Sequence, residues 1–143
     1  MKAALAYVHP VLQVLVLIVA FATFRLGLVL KKHRSQERLL YNQHEIFLRH
    51  IQLGLLTVWC VIGGYALGLL SMLWLRQQPP FRSAHFFFAT IAILLFMGVG
   101  YTGWRLKQGT QHYADMRDIH GFLVYLALFV SLGVGMMGFI LLP

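Results

Sequence analysis

Four histidines near the starts of four hydrophobic segments are the residues of this chain best suited to chemistry. They are His9, His50, His85 and His120, and the last three are spaced 35 residues apart. A neutral imidazole is a good ligand for metals, including haem iron. A histidine inside a membrane-spanning helix is costly, and it usually faces the bundle interior and finds a partner there. The four histidines are therefore candidate metal ligands that face one another inside a bundle.

A glycine follows each of these histidines at the same spacing of eighteen residues. The four glycines are Gly27, Gly68, Gly103 and Gly138. Eighteen residues make five helical turns, so each glycine lies on the same helix face as its histidine, about 27 Å away. A glycine has no side chain and lets a bulky macrocycle approach the backbone. We therefore expect each helix to ligate one cofactor and to make room for a second one near its other end.

The composition is that of a membrane protein. Of the 143 residues, 59% are hydrophobic and 11% are charged, whereas soluble domains are about 25% charged. Segments 7–30, 47–75, 83–106 and 119–142 are long and apolar enough to span a bilayer, which takes about 20 residues. We expect an all-α integral membrane four-helix bundle, antiparallel and up-down-up-down, with residues 1–143 forming a single domain.

The net charge of +8 is divided unevenly between the two ends of the expected bundle. Nine cationic residues lie at one end, here called the basic end: Arg25, Lys31, Lys32, Arg34, Arg38, Arg49, Arg105, Lys107 and Arg117. Three lie at the other, here called the outer end: Lys2, Arg76 and Arg82. Positive loops stay in the cytoplasm, so we expect a multi-pass protein of the bacterial cytoplasmic (inner) membrane with both termini outside. The charge therefore indicates membrane orientation and not a nucleic-acid partner.

Topology decides which histidines can meet, because successive helices run in opposite directions. His9 and His85 begin segments at the outer end, whereas His50 and His120 begin segments at the basic end. Helices 1 and 3 can be diagonal in such a bundle, as can helices 2 and 4, and a flat haem between diagonal helices can receive one imidazole on each face. Cys60 is the only cysteine and no Cys-x-x-Cys-His motif is present, so attachment would be non-covalent. The pattern predicts two non-covalent haem b groups, one near each membrane face.

Arginines beside the histidines are candidate partners for haem propionates, which need cationic or hydrogen-bonding groups. Arg82, one helical turn before His85, could serve at the outer end. Arg49 and Arg117 could serve at the basic end. Anchoring of positive residues at the cytoplasmic face explains Arg49 and Arg117 equally well.

The arrangement resembles the four-helix core of cytochrome b561-type transmembrane electron carriers, and more closely a little-studied bacterial family of four-helix membrane proteins. The matching motifs are His9-Pro10, Arg49-His50-x-x-Leu53-Gly54, the short loop leading to His85, and Arg117-x-x-His120-Gly121. The resemblance implies two b haems held by histidines of alternating helices. It does not imply ascorbate or ferric-chelate activity, because the flanking helices and substrate-binding residues of the larger family are not found in this chain.

These patterns predict transmembrane electron transfer through two bis-histidine b haems. One alternative is a haem-bearing membrane anchor subunit of a larger quinone-linked redox complex. Another is that the histidines bind chlorophyll-type pigments or transported metal ions. The chain is expected to act as an electron carrier or oxidoreductase subunit rather than as a stand-alone enzyme. Its expected partners are membrane lipid and a quinone or redox protein, within a multi-subunit complex if it is an anchor.

Overall fold

Four long helices make up the computed structural model, which describes residues 2–35, 42–75, 77, 79 and 83–140. Helix α1 is Lys2–Ser35, α2 is Gln43–Leu70, α3 is Ala84–Gln108 and α4 is Tyr113–Ile140. The end of α2 continues into a short π-helical segment, Ser71–Leu75. All four helices are long and apolar enough to cross a membrane. The expected all-α four-helix fold is confirmed.

The helices extend beyond the apolar segments at the basic end. Helix α1 continues to Ser35, α2 begins at Gln43 and α4 begins at Tyr113, whereas the apolar segments end at residue 30 or begin at 47 and 119. Cationic side chains lie in the last turns of α1 and α3, and an acidic side chain lies in the first turn of α2 and of α4. Each charge opposes the partial charge of its helix end, which stabilises these polar turns outside the apolar layer.

Two antiparallel hairpins form the bundle. Helix α1 packs most extensively against α2, and α3 against α4, while the α2–α3 and α1–α4 seams are smaller. The remaining pairs, α1 with α3 and α2 with α4, make the fewest contacts and are therefore the diagonals. The structure thus has the diagonal pairs that the histidine pattern requires.

Few of the described side chains are buried, and they are mostly small. The central cluster consists of Ala20, Phe96, Ala127 and Leu128, with Ala127 fully buried. Large apolar side chains such as Trp74 and Phe129 are about three-quarters exposed, at 77% and 75%. A soluble protein would bury such side chains, whereas the hydrocarbon of a bilayer is a favourable environment for them.

Candidate functional site

Each of the four histidines lies against one of the four glycines. A Cβ atom built on Gly27 would lie 3.1 Å from Cε1 of His50, and one on Gly103 would lie 3.3 Å from Cε1 of His120. At the outer end, the corresponding distances are 2.8 Å from Gly68 to His9 and 3.1 Å from Gly138 to His85. The contact always joins the two helices of one hairpin.

The position of the imidazoles gives the glycines a direct physical role. A Cβ atom at any of the four positions would come closer to a histidine ring of the neighbouring helix than Cβ atoms usually do, so the ring would have to shift. The glycines were predicted to admit a macrocycle, and in this structure an imidazole lies over each of them. The predicted contact with a macrocycle stays a prediction.

A main-chain carbonyl holds the imidazole at two of these contacts. Nδ1 of His50 donates to the carbonyl oxygen of Thr23 at 3.0 Å, four residues before Gly27. Nδ1 of His85 donates to the carbonyl of Val134 at 3.1 Å, four residues before Gly138. Helix Cα–Cβ bonds tilt toward the N-terminus, so a side chain at position i+4 covers the carbonyl of residue i. Glycine at that position leaves the second lone pair of the carbonyl open to the ring.

His120 is held by a threonine side chain. The hydroxyl oxygen of Thr102 lies 2.9 Å from Nδ1 of His120. The single hydroxyl proton is already directed to the main-chain carbonyls of Gly98 at 2.8 Å and Val99 at 3.1 Å. With that proton so directed, the Thr102 oxygen is placed to accept from Nδ1 of His120 when the ring carries its proton there.

Donation from Nδ1 determines which nitrogen can bind a metal. His50 and His85 carry a proton on Nδ1, because a carbonyl can only accept, and in a neutral ring this leaves the lone pair on Nε2. The contact with Thr102 favours the same tautomer for His120. Metal-ligating histidines almost always donate their other ring N–H to a carbonyl, carboxylate or similar acceptor, which orients the ring and raises its basicity. The hydrogen bonds of these three rings are compatible with metal ligation through Nε2.

The two histidines of the basic end meet across the α2–α4 diagonal. The ring centroids of His50 and His120 are 6.4 Å apart, and the ring planes are 83° from parallel. An iron–imidazole bond of about 2 Å and a ring radius of about 1 Å on each side place two axial imidazoles about 6 Å apart. Axial rings can rotate about the bond to the metal, so perpendicular planes are compatible with this arrangement. The spacing therefore fits one iron between two imidazoles.

The two histidines of the outer end line one cavity. It has a volume of about 260 Å³, and all four helices contribute to its wall. His9 and Gly68 line it from the first hairpin, and His85 and Gly138 from the second. The other lining residues are mostly apolar, as a b haem requires over most of its surface. The structure thus brings together the predicted outer pair.

Two of the three predicted propionate partners, Arg49 and Arg117, lie near the ends of their helices. Arg49 is paired with Glu45 at 2.6 Å, and Arg117 with Asp118 at 3.3 Å. The Arg49 side chain is well exposed and that of Arg117 is partly buried. Arg82 lies outside the described residues. The structure therefore places Arg49 and Arg117 at the basic end without assigning either of them a ligand.

The polar side chains of the described residues do not form a site for a bare metal ion. Within the described ranges, no three residues drawn from His, Cys, Asp and Glu come together in a group that could hold one. Protein zinc sites usually need three or four such ligands, whereas haem brings its own four nitrogens and needs at most two from the protein. Pairs of histidines suit the second kind of metal centre.

Two features of the site were not predicted from the sequence. One is Thr102, whose position directly before Gly103 is the only sequence signal of its role. The other is Gln13, whose amide lies in the space over Gly64. Gly64 and Gly68 are four residues apart on α2, as His9 and Gln13 are on α1, so two side chains of one helix pack onto two glycines of the next.

No protein-family model, curated protein or solved structure matches this chain. The assignment of a function therefore depends on the geometry of the histidine–glycine contacts.

Proposed function

We propose that this protein carries electrons across a membrane with two non-covalent b haems. The observation that carries the proposal is the meeting of His50 and His120, from diagonal helices, at a centroid separation of 6.4 Å. Both rings donate from Nδ1 and so have Nε2 available as a ligand. Packing alone does not require both a ring separation that fits an iron and a proton on Nδ1 of each ring.

His50 and His120 would hold the inner haem, and His9 and His85 the outer one. Each hairpin then supplies one ligand to each haem. When bound, a b haem takes up and releases one electron at its iron. Two protein ligands per iron leave no coordination position for oxygen or a substrate, which favours electron relay over bond chemistry.

The rest of the bundle keeps the ligands in place and water out. The four glycines allow each imidazole to approach the neighbouring backbone. The carbonyls of Thr23 and Val134 and the hydroxyl of Thr102 hold Nδ1. The centre of the bundle, between the two histidine pairs, is filled by Ala20, Phe96, Ala127 and Leu128. A rigid, dry environment of this kind keeps reorganisation on electron transfer small.

The charge bias supports an orientation in which the basic end faces the cytoplasm and both termini face outward across a bacterial inner membrane. Arg49 and Arg117 are proposed partners of the inner propionates, and Arg82 of the outer ones. The resemblance to the cytochrome b561-type core supports the same arrangement of histidines on alternating helices. A quinone or a redox protein would exchange electrons with the chain at either face.

A reduced-minus-oxidised spectrum of the purified chain, with haem quantitation, tests the proposal. We expect two haems per chain, fully extractable by acid-acetone, and sharp reducible bands in the visible. Strong far-red absorption would instead indicate a chlorophyll-type pigment. His112→Ala is a matched control, because the His112 side chain is 80% exposed at the basic end and its loss should leave both haems bound. A purified chain without haem or reducible bands would overturn the proposal.

A further inference from the structure

The hydroxyl of Thr102 is buried against the inner histidine pair. Thr102 is only 5% exposed. It lies one residue before Gly103, the glycine over which the His120 ring lies. Its oxygen is 2.9 Å from Nδ1 of His120. A polar side chain buried at this depth in a membrane bundle is expected to serve a hydrogen bond.

We propose that Thr102 is a positioning residue, which fixes His120 as its Nδ1–H tautomer and strengthens Nε2 as an axial ligand. The hydroxyl donates its proton to the carbonyls of Gly98 and Val99, so it cannot turn round and donate to the ring. The imidazole must supply the proton between Nδ1 and the Thr102 oxygen. The inference about the tautomer stands on this geometry, and its redox consequence rests on the proposed function.

The redox consequence follows from the chain of hydrogen bonds. A hydroxyl that already donates to a carbonyl is a stronger acceptor, because hydrogen bonds in series polarise one another. An imidazole that donates strongly from Nδ1 carries more electron density on Nε2 and is a more basic ligand. A more basic axial ligand stabilises ferric over ferrous iron. Thr102 would therefore lower the reduction potential of the inner haem.

This contact can be removed by a single substitution. His50 and His85 use main-chain carbonyls, which no side-chain replacement deletes. Thr102→Val keeps the branched shape and removes the oxygen, while Thr102→Ser keeps the oxygen. The contact of the His120 ring with Gly103 is present in both variants, so the ring is expected to stay close to its place.

The test uses the full chain in nanodiscs, with and without haem. Without haem, ¹⁵N NMR of the imidazoles reports the tautomer of His120 directly. With haem, a redox titration reports the inner potential, the inner signal being the one that His50→Ala abolishes. Thr90→Val is the matched control, since the Thr90 hydroxyl donates to the Phe86 carbonyl and meets the hydroxyl of Tyr65 instead of a histidine.

We expect Thr102→Val to shift the His120 tautomer toward a mixture, to raise the inner potential and to weaken inner haem binding by about tenfold. Thr102→Ser should keep the tautomer, the inner potential and the inner haem affinity of the unaltered chain. Thr90→Val should leave the same three quantities unchanged. An unchanged tautomer and potential in Thr102→Val would overturn the inference, as would an equal response in Thr90→Val. A tautomer shift in a chain that binds no haem would support the Thr102 contact and overturn the proposed function alone.

Discussion

The imidazole of His50 lies over Gly27, and a Cβ atom at position 27 would come within 3.1 Å of the ring. The same ring donates from Nδ1 to the carbonyl of Thr23, one helical turn before that glycine. One glycine therefore does two things: it makes room for the ring, and it exposes the carbonyl that orients the ring. The other three histidines lie over glycines in the same way.

The first prediction is that a large side chain at one of these glycines disturbs the haem of the facing histidine. Gly103→Leu should lower occupancy of the inner site, because Gly103 contacts His120, although its own helix carries His85, the proposed ligand of the outer haem. Overpacking of this kind costs about 1–3 kcal/mol. Haem quantitation and redox titration on the purified variant measure the effect.

Two further variants test this interpretation of the Gly103→Leu result. Gly68→Leu should disturb the outer site instead, because Gly68 contacts His9. Gly133→Leu is the control, since a Cβ atom at Gly133 meets nothing within 4 Å. Normal haem occupancy and normal reduction potentials in both Gly103→Leu and Gly68→Leu would show that these glycines are ordinary helix-packing residues.

The second prediction concerns Gln13 and Gly64. A side chain at position 64 would clash with the Gln13 amide, so Gly64→Val should lower the free energy of unfolding. Gln13→Ala should remove the clash and restore much of the loss. A double-mutant cycle on thermal or detergent unfolding should give a coupling of about 1 kcal/mol, as for side chains in direct contact. Strictly additive effects would show that the amide is not what excludes a side chain at position 64.

The third prediction is that the histidines act in pairs. His50→Ala and His120→Ala should each abolish the inner haem and spare the outer one. His9→Ala and His85→Ala should show the reverse. Redox titration distinguishes the two haems, and their loss can be counted per chain. If His9→Ala matched His50→Ala instead, the assignment of ligands across the diagonals would be wrong.

The fourth prediction is that electrons cross the bilayer. Purified chain in liposomes should reduce an enclosed acceptor at the expense of an external, impermeant reductant. His50→Ala and His85→Ala should each stop the transfer, because each removes one of the two haems, while His112→Ala should not. If electrons never crossed intact vesicles, yet a quinone reduced one haem directly, a membrane anchor subunit would be the better description.

The sequence by itself predicts the four helices and the end of the bundle at which each histidine lies. A bilayer sets the length of an apolar helix, and helix geometry puts residues eighteen apart on one face. His9 and His85 must therefore lie at one end and His50 and His120 at the other, whatever the details of packing. Polar turns beyond the apolar segments, such as the start of α4 at Tyr113, were missed, because hydropathy does not register them.

The tertiary structure decides which glycine each histidine contacts at a given end of the bundle. At the basic end, His50 could in principle lie over Gly27 of α1 or Gly103 of α3, since both are at the same depth. The structure selects Gly27, because α1 and α2 pack as one hairpin and turn these faces toward each other. Thr102 and Gln13 acquire their roles in the same way, through the neighbouring helix that each one meets. No periodicity in a single chain specifies that choice, because it depends on the rotation of each helix about its axis, which only packing against the other helices determines.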